Sequence, residues 1–274
     1  MLLFGCDFSC APTARKPIVV AAGEAGADGR LVLGGLRRFV TLGAWADWLC
    51  SEPAWIGGFD FPFGLPRELV EQLRWPLEWE ALMRHYAGLS RAEIRATFAA
   101  FCAARPVGGK FAHRATDAPA GSSTSMKWVN PPVAFMLHAG VPPLLEAGAR
   151  MPGLHAGRNP DRVALEAYPG LLARELIGRR SYKSDEAAKQ TPERLAARTD
   201  LLAALEAGSS RLGLKLALDA TQRAELLGDA RGDHLDAVLC LVQAAWSAAR
   251  ASTPGPGYGL PTHFDPVEGW IVTA

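Results

Sequence analysis

The sequence predicts an α/β fold: a single domain over residues 1–274, with a mixed sheet of about five strands flanked by helices and a helix-and-loop insertion at about 66–160. Three observations predict it. Three apolar runs come first with only short turns between them, which suits an antiparallel meander. A short amphipathic segment then separates the third run from a fourth, and a helix between strands suggests a crossover into parallel pairing. Finally, several runs close on a carboxylate, although strand interiors disfavour Asp. LLFGCD ends at Asp7, WIGGFD at Asp60 and RVALE at Glu166.

Residues 1–8 read as a buried strand, and KPIVVAAGEA (16–25) and LVLGGLRRFV (31–40) as two more, separated by the turn-rich GADGR. LGAWADWLC (42–50) reads as a short helix and AWIGGFD (54–60) as the fourth strand. Pro66 suits the first turn of a helix. LSRAEIRATFAAFCAA (89–104) is helical, and Ser90 with Glu93 has capping-box spacing. Residues 105–160 are rich in Gly, Pro and Ser, a long excursion interrupted by the helix PPVAFMLHAG. RVALEAYP (162–169) is the fifth strand, stopped by Pro169, and helices follow at 170–178, 191–208 and 218–228. DHLDAVLCLVQAAWSAAR is the long last helix, with an apolar face at Leu235, Val238, Leu239, Val242 and Trp246. EGWIVT reads as a short final strand.

The bulk numbers narrow the class. A chain of 274 residues, 49% hydrophobic and 21% charged, is long enough to bury roughly 75% of its unfolded surface without staples. The formal net charge of +1 counts against a dedicated nonspecific DNA-binding module. Five cysteines, an odd number with no C-x-x-C pair, argue against a disulfide framework or structural zinc and for buried reduced thiols. No apolar run reaches the ~18 residues of a membrane span. The N-terminus lacks the basic and apolar regions of a signal peptide, so a cytoplasmic location is expected.

The acidic positions carry the chemistry. Strand ends of parallel neighbours share one sheet edge, where open α/β sheets bind ligands. Asp233 and Asp236 are three apart at the start of the last helix, on one face of its first turn, where the dipole favours negative charge. Converging carboxylates bind hard divalent cations, and two-metal sites cut or transfer phosphoryl groups. Each residue also has a purely structural reading. Asp7 and Asp60 can cap turns, Asp233 can be the N-cap of its helix, and Glu166 can pair with an Arg.

Taken together, GCDFSCA, GFDFPFGLP, LEAYPG and GDHLDAVLC resemble the domain of unknown function 429 family over about residues 2–272. That family is classed as a predicted nuclease with a ribonuclease H-like fold. The D-x-x-D-A on the last helix is also similar to Holliday-junction resolvases, many of which act as dimers, so a homodimer is open. The resemblance implies that Asp7 bridges two Mg²⁺ (or Mn²⁺) ions, that Asp60 ligates one of them, and that Asp236 and Asp233 complete the site. It implies that Glu166 is a further catalytic carboxylate that binds metal or holds Lys183. The implied partner is nucleic acid, DNA or RNA.

Two basic stretches accompany the acids. Arg105, Lys110, Arg114 and Lys127 face a single acid, Asp117, in the excursion, and Arg114 and Asp117 match an R-x-T-D motif of the resembled family. Arg114 is expected to contact a substrate phosphate, with Lys110 beside it. Tyr182, Lys183 and Ser184 match a Y-K-S stretch, where Lys183 can neutralise a leaving phosphate and Tyr182 and Ser184 can bind substrate. The six histidines have no ligand spacing. No G-x-x-x-x-G-K-[ST], G-x-G-x-x-G or G-x-S-x-G motif occurs. The rival readings are a phosphotransferase or ATPase of the sugar-kinase-like fold, opposed by a Gly-free loop after Asp7, and a noncatalytic binding module that kept the fold.

Overall fold

A computed structural model describes residues 1–274. In chain order the elements are β1 (Leu2–Asp7), β2 (Ile18–Ala25), β3 (Arg30–Phe39), α1 (Leu42–Ser51), β4 (Trp55–Phe59), α2 (Arg67–Gln72), α3 (Trp79–Ala87), α4 (Arg91–Ala103), α5 (Asp117–Ala120), α6 (Val133–Glu146), β5 (Ala149–Arg150), β6 (Asn159–Glu166), α7 (Pro169–Ile177), α8 (Pro192–Ala207), β7 (Lys215–Ala217), α9 (Ala220–Gly228) and α10 (Asp233–Ala248). The strands form one mixed sheet in the order β5-β6-β4-β1-β2-β3-β7. β1, β2 and β3 are an antiparallel meander, while β4 pairs parallel with β1 and β6 parallel with β4.

The sheet has seven strands rather than about five. The two additions are short edge strands, β5 with two residues and β7 with three, too brief for an alternating pattern to show in the sequence. EGWIVT is not a strand. One backbone hydrogen bond, from Val272 N to Glu166 O at 2.8 Å, ties it to the end of β6. Pro169 does not stop a strand. β6 ends at Glu166, and Pro169 is the first residue of α7, where its missing N–H costs nothing.

Side chains alternate across the sheet and feed two cores. Phe4, Cys6, Ile18 and Val20 face α1, α3, α4 and α6, so the insertion packs on this face. Leu3, Val19, Ala21, Ile56 and Leu165 face α7, α8 and α10 on the other. Ser90 and Glu93 form the expected capping box of α4. Trp45 and Trp48 are buried in the first core around Phe4 and Phe59.

The helix α10 buries more than the apolar face its sequence shows. Fourteen of its sixteen residues are buried, with Leu235, Val238, Leu239 and Val242 among them and Trp246 only partly so. The reason is its seat. Gly5 on β1 and Gly58 on β4 are register partners, and a Cβ on Gly5 would collide with the backbone of Leu241 and Ala237. At Gly58 a Cβ would lie 2.6 Å from Cys240 O. Two adjacent glycines thus let α10 lie directly on the centre of the sheet. No helix is long and apolar enough to cross a membrane.

Candidate active site

The carboxylates assemble at the edge formed by the C-terminal ends of β1 and β4. Asp7 is the last residue of β1, and Asp60 follows β4 directly, its N–H donating to Cys6 O at 2.9 Å. The close seat of α10 brings its first turn to the same edge, with Asp233 and Asp236 both buried. Asp233 is the first helical residue rather than the N-cap. Gly232 caps in the left-handed conformation (φ 78°), and Asp229 accepts the His234 N–H at 2.9 Å. Because Asp229 does the capping, the Asp233 side chain is left for the cleft.

Asp7, Asp60 and Asp233 receive no hydrogen bond from any side chain or backbone N–H, and all three line a cleft of about 650 Å³. Asp236 is held. Tyr182 donates to one of its oxygens and Lys183 pairs with the other. Lys183 itself lies over Gly232, where a Cβ would sit 2.7 Å from its own.

The electrostatics follow from this crowding. Burial raises the Asp7 carboxyl well above the ordinary carboxylate range, Asp236 raises it further and Lys183 opposes. Burial and then Asp236 push Asp60 up to about 7. Burial and Asp229 raise Asp233. Burial opposes the charge of Lys183, yet Asp236, Tyr182 and Asp7 hold its ammonium well above the usual lysine value. Beneath the acids, burial raises the Cys6 and Cys240 thiols well above the usual range, which leaves them unreactive.

No three of the acidic side chains stand close enough together to hold an ion as they lie. The donor set is nevertheless the kind that a hard cation takes: carboxylate oxygens, mutually repelling, three of them without a donor. Lys183 stands in their midst as a positive charge of the chain, and Arg231 lies 4.0 Å from Asp233.

The model of the family described as "Protein of unknown function (DUF429)" matches residues 5–263. The chain belongs to this family. No curated protein and no solved structure matches it.

In this DUF429 chain the remaining predicted site residues separate into those the fold brings to the cleft and those it does not. Lys183 and Ser184 line it. Tyr182 sits behind Asp236 as a buried support, its hydroxyl taken by that carboxylate, and it also contributes to the lining of the cleft's continuation. Glu166 does not hold Lys183 and shares no hydrogen bond with the other acids, although its charge reaches Asp60 and helps raise that carboxyl. It pairs with Phe59 in the sheet register, one step short of Asp60, so its side chain leaves on the opposite face. There it accepts Phe63 N–H at 2.9 Å and a bidentate pair from Arg114 at 2.8 and 2.9 Å.

Arg114 is therefore not a phosphate contact. Its side chain is 2% exposed, and its guanidinium donates to Asp117, Glu166 and the carbonyl of Glu268. All five N–H donors are taken, so none remains for a substrate. Burial opposes its charge, but the two carboxylates raise its pKa above the ordinary arginine value. Lys110 is exposed in the loop beside Cys102 and reaches no acid of the cleft.

Sequence reasoning missed Lys16, Asp185 and Arg231, which line the same cleft, and the Lys16–Asp185 ion pair at 2.7 Å beside it. Arg231 adjoins the GDHLD run, which is a usable signal. Asp185 likewise follows the Tyr182-Lys183-Ser184 stretch, but its pairing with Lys16, 169 residues away, carries no signal. Tyr168, within the quoted LEAYPG, also lines the cleft's continuation.

Proposed function

We propose that the chain is a divalent-metal-dependent nuclease that hydrolyses phosphodiester bonds, on a ribonuclease H-like version of its α/β sheet. The fold reading is supported by the β1–β3 meander followed by the parallel β4 and β6, with β5 and β7 as edge additions. The observation that carries the function is the trio Asp7, Asp60 and Asp233: crowded carboxylates facing one cleft that accept no hydrogen bond from the chain, with Arg231 4.0 Å from Asp233. Such charges are stabilised by a cation.

Asp7 and Asp60 would hold Mg²⁺ or Mn²⁺ with Asp233 or Asp236, and the bound metal would supply an activated water and stabilise the leaving oxygen. Tyr182 fixes the rotamer of Asp236. Lys183 offers a positive charge at the cleft wall that a scissile phosphate can share. Ser184 presents a hydroxyl on the same wall. Five unpaired thiols support a reducing, cytoplasmic setting.

The test is cleavage of labelled single strands, duplexes, hybrids and four-way junctions with Mn²⁺, beside Asp7→Asn. Wild type should cut at least one substrate only with metal, and Asp7→Asn should lose at least ~100-fold. Absence of cleavage, with calorimetry showing equal Mn²⁺ affinity for both proteins, would leave a noncatalytic module as the reading.

A further inference from the structure

The carboxylate cleft does not end at the acids. It continues across Asp60 and Lys183 into a second lobe of about 450 Å³, with both lobes sharing Pro131 and Met136 of the insertion. The second lobe differs in chemistry. Phe61, Pro62, Val133 and Met136 give it apolar walls, Tyr168 stands at one side, Ser122 and Ser123 add hydroxyls, and the paired Arg114 and Glu166 also line it. Its size and its mix of apolar wall, aromatic ring and polar side chains suit one flat heterocycle with its sugar.

Tyr168 is placed for contact. Its ring lies over Gly170, where a Cβ would fall 2.7 Å from both Cζ and Oη. Arg174 donates to the Tyr168 hydroxyl at 3.4 Å and its Cζ lies 6.0 Å from the ring centroid. Glycine at 170 thus permits the ring position, and Arg174 braces it.

Beyond Tyr168 lies a third hollow, also about 450 Å³, that shares Gly170 and Tyr182 with the second lobe. It is lined by Arg174, Arg179 and Arg180 and by no acid. All three arginines are exposed. Arg180 makes an exposed pair with Asp200 at 2.6 Å, an interaction of little worth that an anion can displace. Arg179 pairs with no acid at all.

The succession is acidic cleft, apolar lobe with an aromatic wall, then a basic hollow. From it we propose that the chain binds single-stranded nucleic acid along this track, with one unstacked base against Tyr168 and the next phosphates on Arg179 and Arg180. The alignment of the scissile phosphate over the carboxylates rests on the nuclease reading; the binding of the strand does not. A duplex keeps its bases stacked inside and offers none to a concave lobe, whereas single strands present theirs to aromatic faces. The net charge of +1 also suits a short basic hollow better than the long phosphate contact that a duplex requires.

Binding is measured in EDTA, where no metal-dependent cleavage occurs, by fluorescence anisotropy of a labelled 12-nucleotide single strand, as DNA and as RNA, with the matched duplex as competitor. The single strand should bind at least ~10-fold tighter than the duplex. Tyr168→Ala should weaken it roughly 10-fold, and Tyr168→Phe should retain binding because stacking needs the ring and not the hydroxyl. Arg179→Ala with Arg180→Ala should lower the slope of log K against log salt by about 1.4, two phosphate contacts at ~0.7 each. Melting temperatures of the variants verify that they fold. Unchanged binding and slope in these folded variants, or a duplex that binds as tightly as the strand, would overturn the track while leaving any Asp7-dependent cleavage intact. Strand binding with the expected losses, but no cleavage with Mn²⁺, would uphold the track and remove the nuclease reading.

Discussion

Arg114 shows how one residue can look functional for a structural reason. An arginine in a polar loop reads as a phosphate contact, since the sequence shows neither its burial nor its partners. In the fold it ties three distant segments together: Asp117 in the insertion, Glu166 at the end of β6 and the Glu268 carbonyl near the C-terminus. Removing one partner of a buried ion pair strands the others. Arg114→Met should therefore lower the unfolding free energy by about 3–5 kcal/mol, seen as a lower urea midpoint at unchanged m. Adding Glu166→Gln should restore part of the loss by removing an uncompensated charge. A loss below ~1 kcal/mol, the range of an exposed pair, would reject the buried network. The acids of the site were legible for the opposite reason. Asp7 and Asp60 break a strand preference, and that local oddity survives in the text of the sequence. Glu166 breaks it too, but its face depends on register, which one chain read by itself does not reveal.

At the scale of elements, the position of the site depends on how closely α10 approaches the sheet. Gly5 and Gly58 set that approach, so they also set where Asp233 and Asp236 stand relative to Asp7 and Asp60. A methyl at Gly5 would meet helix backbone, which cannot rotate away as a side chain can. Gly5→Ala should cost about 3 kcal/mol or more in thermal or urea unfolding. In contrast, Gly43→Ala in α1 meets nothing within 4 Å and should be neutral or gain up to ~1 kcal/mol. Equal effects at both positions would mean that α10 does not rest on the strands as described. The central elements were readable because each carries its own signal: the apolar runs of β1 to β4, the capping box of α4, the apolar run of α10. The short edge strands β5 and β7 were not, since two or three residues hold no period and their pairing is decided by neighbours. The apolar face of α10 was legible, but the burial of most of the rest of the helix was not, because glycines elsewhere in the chain determine how much of its surface is covered.

For the whole molecule, the acidic edge is a stored electrostatic stress that should appear in stability. Asp60 is held near 7, by burial first and Asp236 second, against about 3.9 in an unfolded chain. Between those values the folded state holds the proton and the unfolded state has lost it. The contribution of Asp60 to stability is thus fully present below about pH 4 and is lost as pH rises through about 7. About three pKa units set a ceiling near 4 kcal/mol, which solvent in the cleft reduces. Asp7, raised in the same direction, adds to the slope. In EDTA the melting temperature should fall between pH 5 and pH 8, and Asp60→Asn should flatten that fall. A metal bound to ionised carboxylates displaces protons and stabilises only the folded state, so saturating Mn²⁺ should raise the melting temperature more at pH 8 than at pH 5. Scanning calorimetry of wild type and Asp60→Asn at both pH values, with EDTA and with Mn²⁺, separates the two effects. A pH slope that Asp60→Asn leaves unchanged would show that the cleft is not under this stress. A Mn²⁺ shift no larger at pH 8 than at pH 5 would show that ionised carboxylates are not what the metal takes.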